Sequence, residues 1–447
     1  MKATWRLGLS SRSEASAAAT AAAQSAASSS RGATEIDFSE DARQWRDEFS
    51  ELERKAALWN YALFFWGEDA VADGLSPYID AAPLEEQKYF LATQQVDEAR
   101  HAVFFSRFMS EVAGVDGKDV GERLAAIEPR LTWGFRKTFE RLETMADELR
   151  RKPTRTNLAA AIALYHLVIE ATLAQPGQHF ITSYLERRDL LPGFRAGMEN
   201  VALDEQRHIG FGVKLLSDLC RDDPDCKQAV ADMLREVIPF TAAVLVPPGW
   251  DRRYTEVFGF TLEEIGAEGA ASLETKLRSA GLPMEELPGP PIFSPGMEPM
   301  ERAKLGQRLV YGGILGEKIG PPRRDADTMQ AIFQMLLGGL DPRGAPSEPG
   351  TIQWDFADAE PWHLVVANGD TRVEPGRAEA PTVTIECRYE DWTDLLGGRE
   401  HPLKLAATRR LRPKGDLRWL WRARRMFPGG QPGAYAPGPP REIGMPR

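Results

Sequence analysis

Asp97-Glu98-Ala99-Arg100-His101 and Asp204-Glu205-Gln206-Arg207-His208 follow one pattern, and each lies deep inside a long segment of helical periodicity. On a helix, residues three apart share a face, so each pentapeptide presents a glutamate and a histidine together. Alternate steps of three and four residues trace a buried seam. From the first pentapeptide they pass through Leu91, Gln94, Glu98, His101, Phe105 and Phe108, and from the second through Met198, Val201, Glu205, His208, Gly212 and Leu215. Two other helical segments carry one glutamate each on such a seam. Glu68 interrupts Leu58, Tyr61, Phe65, Ala72 and Leu75, and Glu170 interrupts Ala163, His166, Leu173, Gly177 and Phe180.

Four carboxylates and two imidazoles therefore point into one helical core. An unpaired buried carboxylate costs several kcal/mol, so such a core demands compensating positive charge. Two metal ions supply it, with Glu68, Glu98, His101, Glu170, Glu205 and His208 as the expected ligands. The order is itself repeated: a lone glutamate precedes each Glu-x-x-His, from position 68 to 98 and again from 170 to 205. Ferritin-like di-iron and di-manganese carboxylate bundles use this ligand set, whose oxygen and imidazole donors suit iron or manganese better than zinc. Asp97 and Asp204, beside the ligands, can each accept the second ring N–H of a ligating imidazole. Arg100 and Arg207 can neutralise them. His166, one turn before Glu170, stands either behind the ligands as a hydrogen-bond donor or in the core as an ordinary histidine. Pro176 and Gly177 should kink their helix just past Glu170.

The pattern is helical from Phe38 to about Leu245, with breaks at Ala82-Pro83, Lys152-Pro153, Leu191-Pro192-Gly193 and Asp223-Pro224. Residues 246–322 read as an extension and connector, with helical stretches at Leu262–Ala280 and Pro299–Lys318 and a boundary near Gly320-Pro321-Pro322. After a helix over Ala326–Leu340 the texture changes to strands at Thr351–Phe356, Trp362–Ala367 and Thr382–Cys387, with a hairpin signal at Asn368-Gly369. A helix near Trp392–Leu396 and a basic segment reaching Phe427 complete an α+β unit. The expected fold is thus an all-α ferritin-like di-metal helix bundle over 35–245, then a smaller α+β domain of lipid-binding type over 323–427. Residues 1–34 read as disordered or as a targeting segment, and 428–447 as a disordered tail.

The chain has 447 residues and a net charge of -11, which argues against general attraction to nucleic acid or to anionic membranes. No contiguous apolar run approaches the roughly 18 residues that span a bilayer. Three cysteines, Cys220, Cys226 and Cys387, lack metal-type spacing, and the odd count suits a reducing, cytoplasmic setting.

Over roughly residues 34–245 the sequence resembles the ribonucleotide reductase small-subunit superfamily, and within it the ligand-binding oxidase branch. The resemblance is carried by Glu35-Ile36-Asp37-Phe38 with Trp45, Gly67-Glu68-Asp69-Ala70-Val71, Tyr165 ahead of Glu170, and the second pentapeptide. It implies an Fe/Fe or Mn/Fe site, dioxygen as co-substrate, a fatty-acid-like ligand, and an ether cross-link between Tyr165 and Val71. On an ideal helix Tyr165 lies about 140° from Glu170, so a cross-link would need a π-type bulge there. In radical-generating subunits the radical tyrosine usually lies one turn after the first ligating histidine, where this chain has Phe105. Residues 323–427 resemble a sterol-carrier-protein-like domain through Trp354-Asp355-Phe356, Trp362 to Gly369, Val383 to Ile385, Asp391-Trp392, Leu395 to Gly398 and Leu411 to Leu417. Such domains enclose an apolar tunnel.

The expected function is a di-metal oxidase or oxygenase acting on a hydrophobic or lipid-like small molecule, with Phe64, Phe65, Phe104, Phe105 and Phe108 walling the site. A homodimer and a possible electron-donor protein are the expected partners. Two alternatives are a radical-generating reductase-type subunit acting on a partner protein, and a non-catalytic lipid-binding or iron-handling protein.

Overall fold

The computed structural model describes residues 33–289, 292–293, 296–367 and 370–427. Residues 1–32, the expected hairpin signal at Asn368-Gly369 and residues 428–447 lie outside the described residues. The chain divides into two compact units, one ending at Ala303 and the other beginning at Lys304.

The first unit is helical. Its elements are α1 (Ser39–Asp47), α2 (Glu51–Gly74), α3 (Ser76–Ala81), α4 (Glu85–Glu111), α5 (Val120–Ile127), α6 (Trp133–Arg151), α7 (Arg155–Arg188), α8 (Pro192–Cys220) and α9 (Pro224–Thr241), followed after a single turn at Arg253–Glu256 by α10 (Leu262–Ser279). Local chemistry starts these helices where the sequence breaks fall. Ser50 and Glu53 form a capping box on α2, Thr154 caps α7, and the Asp223 carboxylate accepts from two N–H groups at the start of α9.

Helix α8, which carries the second pentapeptide, is capped from a distance. The Asp41 carboxylate of α1 accepts from Gly193 N at 2.9 Å and Phe194 N at 2.7 Å, and Gln44 Oε1 accepts from Leu191 N at 2.6 Å. The approach is close enough that a Cβ on residue 193 would sit 2.5 Å from the Asp37 carbonyl oxygen, so only glycine fits.

Helix α7 is long and apolar enough, by length and composition, to pass for a membrane span, but 78% of its apolar window is buried inside the protein. It is the central core helix, apolar all round because neighbours cover every face. Over Ala163–Ala174 it opens into π turns, and from Gln175 it resumes as an α-helix through Pro176 and Gly177. The distortion therefore falls ahead of the proline, and the helix continues beyond it. Proline offers no N–H to the carbonyl four residues back, and the wider turns re-pair this stretch: Gln175 N donates to Glu170 O, and Thr172 Oγ1 donates to Leu167 O at 2.6 Å.

The second unit takes in the end of α11 (Pro299–Tyr311), then α12 (Ala326–Gly338), β1 (Gly350–Phe356), β2 (Trp362–Ala367), β3 (Asp370–Pro375), β4 (Val383–Cys387), α13 (Tyr389–Leu396), α14 (Pro402–Ala407), β5 (Leu411–Gly415) and α15 (Leu417–Ala423). Helix α11 stops at Tyr311, short of the expected Lys318, because Gly312 and Gly313 follow. The next residues are tied into this unit: the Arg399 guanidinium donates to Gly313 O, and Lys318 pairs with Glu390 and Asp394. Strand order is β3-β2-β1-β4-β5, with β1 and β4 parallel and the other neighbours antiparallel. The layer between α12 and the sheet is filled by aromatic rings. Phe333 stacks on Trp362 and on Trp392, each with centroids 4.6 Å apart, and Trp354 packs edge-on.

Replacing Asp41 by alanine strands two backbone donors at the start of α8. The expected loss is about 1–2 kcal/mol, read as a lower denaturation midpoint; an unchanged midpoint would show that α1 does not hold α8.

Candidate metal centre

Glu68 comes from α2, Glu98 and His101 from α4, Glu170 from α7, and Glu205 and His208 from α8; none is more than 6% exposed. Their donor atoms converge into two groups, Glu68, Glu98, His101 and Glu205 in one, and Glu98, Glu170 and His208 in the other, each with its atoms within 4.8 Å of one another. Glu98 belongs to both. One of its oxygens is 3.3 Å from His101 Nδ1 and the other 3.1 Å from His208 Nδ1.

Both imidazoles are held from behind, and the holding is crossed. His101 of α4 presents Nε2 to Asp204 of α8 at 3.2 Å, while His208 of α8 presents Nε2 to Asp97 of α4 at 3.2 Å. This places a proton on each Nε2 and leaves each Nδ1 facing the carboxylates. Arg100 pairs with Asp97 and Arg207 with Asp204, and each guanidinium also reaches the other aspartate, at 3.6 and 3.4 Å. Two acids and two bases thus form a ring across the α4–α8 contact.

Behind the glutamates lies a polar chain. Tyr165 OH donates to Glu98 Oε1 at 2.7 Å, and Gln94 Nε2 lies 2.9 Å from that phenol and 2.8 Å from Glu170 Oε1. His166 Nε2 is 3.2 Å from Gln94 Oε1, so the histidine stands behind Gln94 and in neither donor group. Room for His166 comes from α8, where a Cβ on Gly212 would lie 2.3 Å from its own Cβ. The π turns of α7 bring Tyr165 and Glu170, five residues apart, to the same cluster.

The electrostatics state the need for a cation. Burial drives the Glu68 carboxyl up to about 7 against the pull of His101. Burial, then mutual repulsion among the glutamates, pushes Glu170 and Glu205 well above the usual carboxylate range. Burial also opposes charge on Glu98, but the two imidazoles outweigh it and hold that carboxyl well below the range. Burial drives the His166 imidazole down to about 3, so it is neutral, and pushes the Tyr165 phenol well above its ordinary value. Glu98 Oε2, Glu170 Oε2, Glu205 Oε2 and His208 Nδ1 are buried without a hydrogen-bond partner. Unpaired buried polar atoms converging from three helices fit a pair of multivalent cations.

A cavity with about 650 Å³ of unfilled space, counting its mouth, opens on the cluster. Glu68, Glu98, Glu170 and Glu205 line it, as do Val71 and Tyr165. Of the five phenylalanines expected as walls, Phe64 alone lines it. Phe65, Phe104, Phe105 and Phe108 pack into a separate apolar core with Phe38, Tyr61 and Phe194, where Phe105 stacks on Phe64 at 5.8 Å. The other walls are Leu63, Phe135, Phe139, Ile169, Leu173, Val244 and Leu245, several of them from outside the four ligand helices. Gln94 carries a role that the motif reading did not assign, although its place on the seam one turn before Glu98 was the available signal.

Residues 22–244 match the family model of the ribonucleotide reductase small chain, and residues 347–427 that of the SCP-2 sterol transfer family. The helical domain belongs to the ribonucleotide reductase small-chain family. Among solved structures, an R2-like ligand-binding oxidase with aerobically reconstituted Mn/Fe cofactor aligns with a TM-score of 0.52 at 20% identity, over 58% of this chain and 92% of that one. A variant of R2-like ligand-binding oxidase with anaerobically reconstituted Mn/Fe cofactor aligns with a TM-score of 0.50 at 21% identity, again over 58% and 92%. At these identities the likeness is one of fold, the ferritin-like helical fold of the small-chain family, here followed by an SCP-2-family domain with a small mixed sheet.

Two outcomes follow. Asp97→Ala and Asp204→Ala should each weaken metal binding about 10–100-fold in a chelator competition titration, and unchanged affinity would remove the crossed aspartates from any supporting role. A carboxyl raised to about 7 holds its proton below that pH, so bound metal must displace it. Metal affinity should therefore fall as pH drops through about 7, with protons released on loading; calorimetry in buffers of different ionisation enthalpy reads the count.

Proposed function

We propose that this chain is a dioxygen-using di-metal oxidase whose substrate is a hydrophobic small molecule, with Glu68, Glu98, His101, Glu170, Glu205 and His208 holding an Mn/Fe or Fe/Fe pair. The observation that carries the reading is the cavity itself: carboxylates of both donor groups line a largely apolar space. When bound, the metal pair supplies the site for dioxygen and the oxidising equivalents.

The chain's own residues bind, orient and keep dry. Leu63, Phe135, Phe139, Ile169 and Leu173 exclude water and hold an apolar substrate by its hydrocarbon. Glu98 spans the two donor groups and fixes their separation. Gln94 and Tyr165 hold the free edges of Glu98 and Glu170, and the crossed aspartates keep both imidazoles in register. An external electron donor would replenish the site. The exposed Tyr89, Val96 and Val103 of α4, with Leu203 of α8, offer an apolar stripe for a homodimer.

Phe105 favours oxidase over radical-generating subunit, since a buried phenylalanine on Phe64 leaves no phenol at that position. Tyr165 and Val71 face the same cavity, so a Tyr165–Val71 ether is the expected self-oxidation. The phenolic hydrogen and one Val71 hydrogen leave, dioxygen accepts the electron pair, and a C–O bond forms.

Aerobic loading with iron and manganese should lower the intact mass by a pair of hydrogens, mapped to peptides containing Val71 and Tyr165, and Tyr165→Phe should abolish the loss. Ala174→Phe, a bulky substitution at a position that lines the cavity and is not among the six expected ligands, should keep the metal content and lose dioxygen uptake stimulated by an acyl compound. Stimulated uptake that survives in this variant would count against the cavity as the substrate site.

A further inference from the structure

The segment 402–427 of the SCP-2-family domain carries nine basic residues and a single acid, Asp416, within a chain of net charge -11. Its structure sorts these charges around an apolar stripe. On α15, Trp419 and Ala423 turn inward; Trp419 is 2% exposed and donates Nε1–H to Glu348 O at 3.0 Å. Leu417 and Trp421, four residues apart and so on one face, turn outward with 51% and 65% exposure. Arg418 and Arg422 form the neighbouring stripe, and the Arg424 guanidinium stacks over the Trp421 ring at 3.7 Å. Among the described residues, Arg409, Arg412, Arg418, Arg424 and Arg425 have no acidic side chain within ion-pair distance, whereas Lys404, Arg410, Lys414 and Arg422 do.

From this surface we infer that α15 and the basic residues around it dock the protein on an anionic lipid bilayer. The reading is independent of the metal site. A leucine and a tryptophan at i and i+4, flanked by arginines, are what an interfacial helix presents: the indole takes the headgroup level, the leucine the acyl boundary, and the guanidiniums the lipid phosphates. Net negative charge over the whole molecule does not oppose this, because exposed charges more than about a Debye length of 8–10 Å from the contact are screened. Single-stranded nucleic acid would need a run of aromatic platforms, and this face offers one exposed ring.

The full metal-loaded chain, co-sedimented with vesicles, tests this. It should bind vesicles of equal parts phosphatidylcholine and phosphatidylglycerol, ignore phosphatidylcholine alone, and be released by high salt, a result that needs no variant. Leu417→Ser with Trp421→Ser, and separately Arg418→Glu with Arg422→Glu, should each reduce partitioning at least about tenfold while metal content stays that of the parent. Equal binding to both vesicle types, salt-insensitive binding, or full binding by both variants would overturn the assignment. So would binding to a single-stranded RNA without binding to anionic vesicles.

Discussion

Four carboxylates buried in one helical core are the constraint from which the first unit's architecture follows. Their mutual repulsion and lost hydration must be offset inside the fold, and the protein does this with two imidazoles, each backed by an aspartate, and with donor groups arranged for cations. The apolar seams of α2, α4, α7 and α8 bring the carboxylates together, and the unpartnered oxygens of Glu98, Glu170 and Glu205 show what hydrogen bonding leaves undone. Helix α7 gives up regular geometry for the same end, since only π turns place Tyr165 and Glu170 together against Glu98.

The crossed supports tie stability to function. Because His101 leans on Asp204 and His208 on Asp97, neither Glu-x-x-His helix positions its imidazole alone. The α4–α8 contact and the metal site are one structure, and Arg100 and Arg207 make the acids behind it affordable. Asp41 extends the dependence outward by capping the start of α8 from α1.

How much of this was legible in sequence depended on periodicity. The seams and the six convergent side chains sit on spacings of three, four and seven, which a sequence displays directly; Asp97 and Asp204 were legible as imidazole partners, but their crossing between α4 and α8 arises from tertiary packing. The π turns were visible only as a misfit, the 140° between Tyr165 and Glu170. The cavity walls were misjudged because Phe65, Phe104, Phe105 and Phe108 look alike to a pattern, whereas Phe135 and Phe139 of α6 reach the site through tertiary packing. Strands β3 and β5 went unread for a physical reason: they are the two edges of the sheet, and Asp370–Pro375 and Leu411–Gly415 carry the charges and prolines that edges need and that disguise strands.

The central claim is a metal pair bridged by Glu98, and anomalous diffraction at the iron and manganese edges on crystals of the loaded chain tests it most directly. The account predicts two peaks about 3.5–4 Å apart, one beside His101 and the other beside His208, with Glu98 ligating both. A single peak, or two peaks that do not share Glu98, would contradict it.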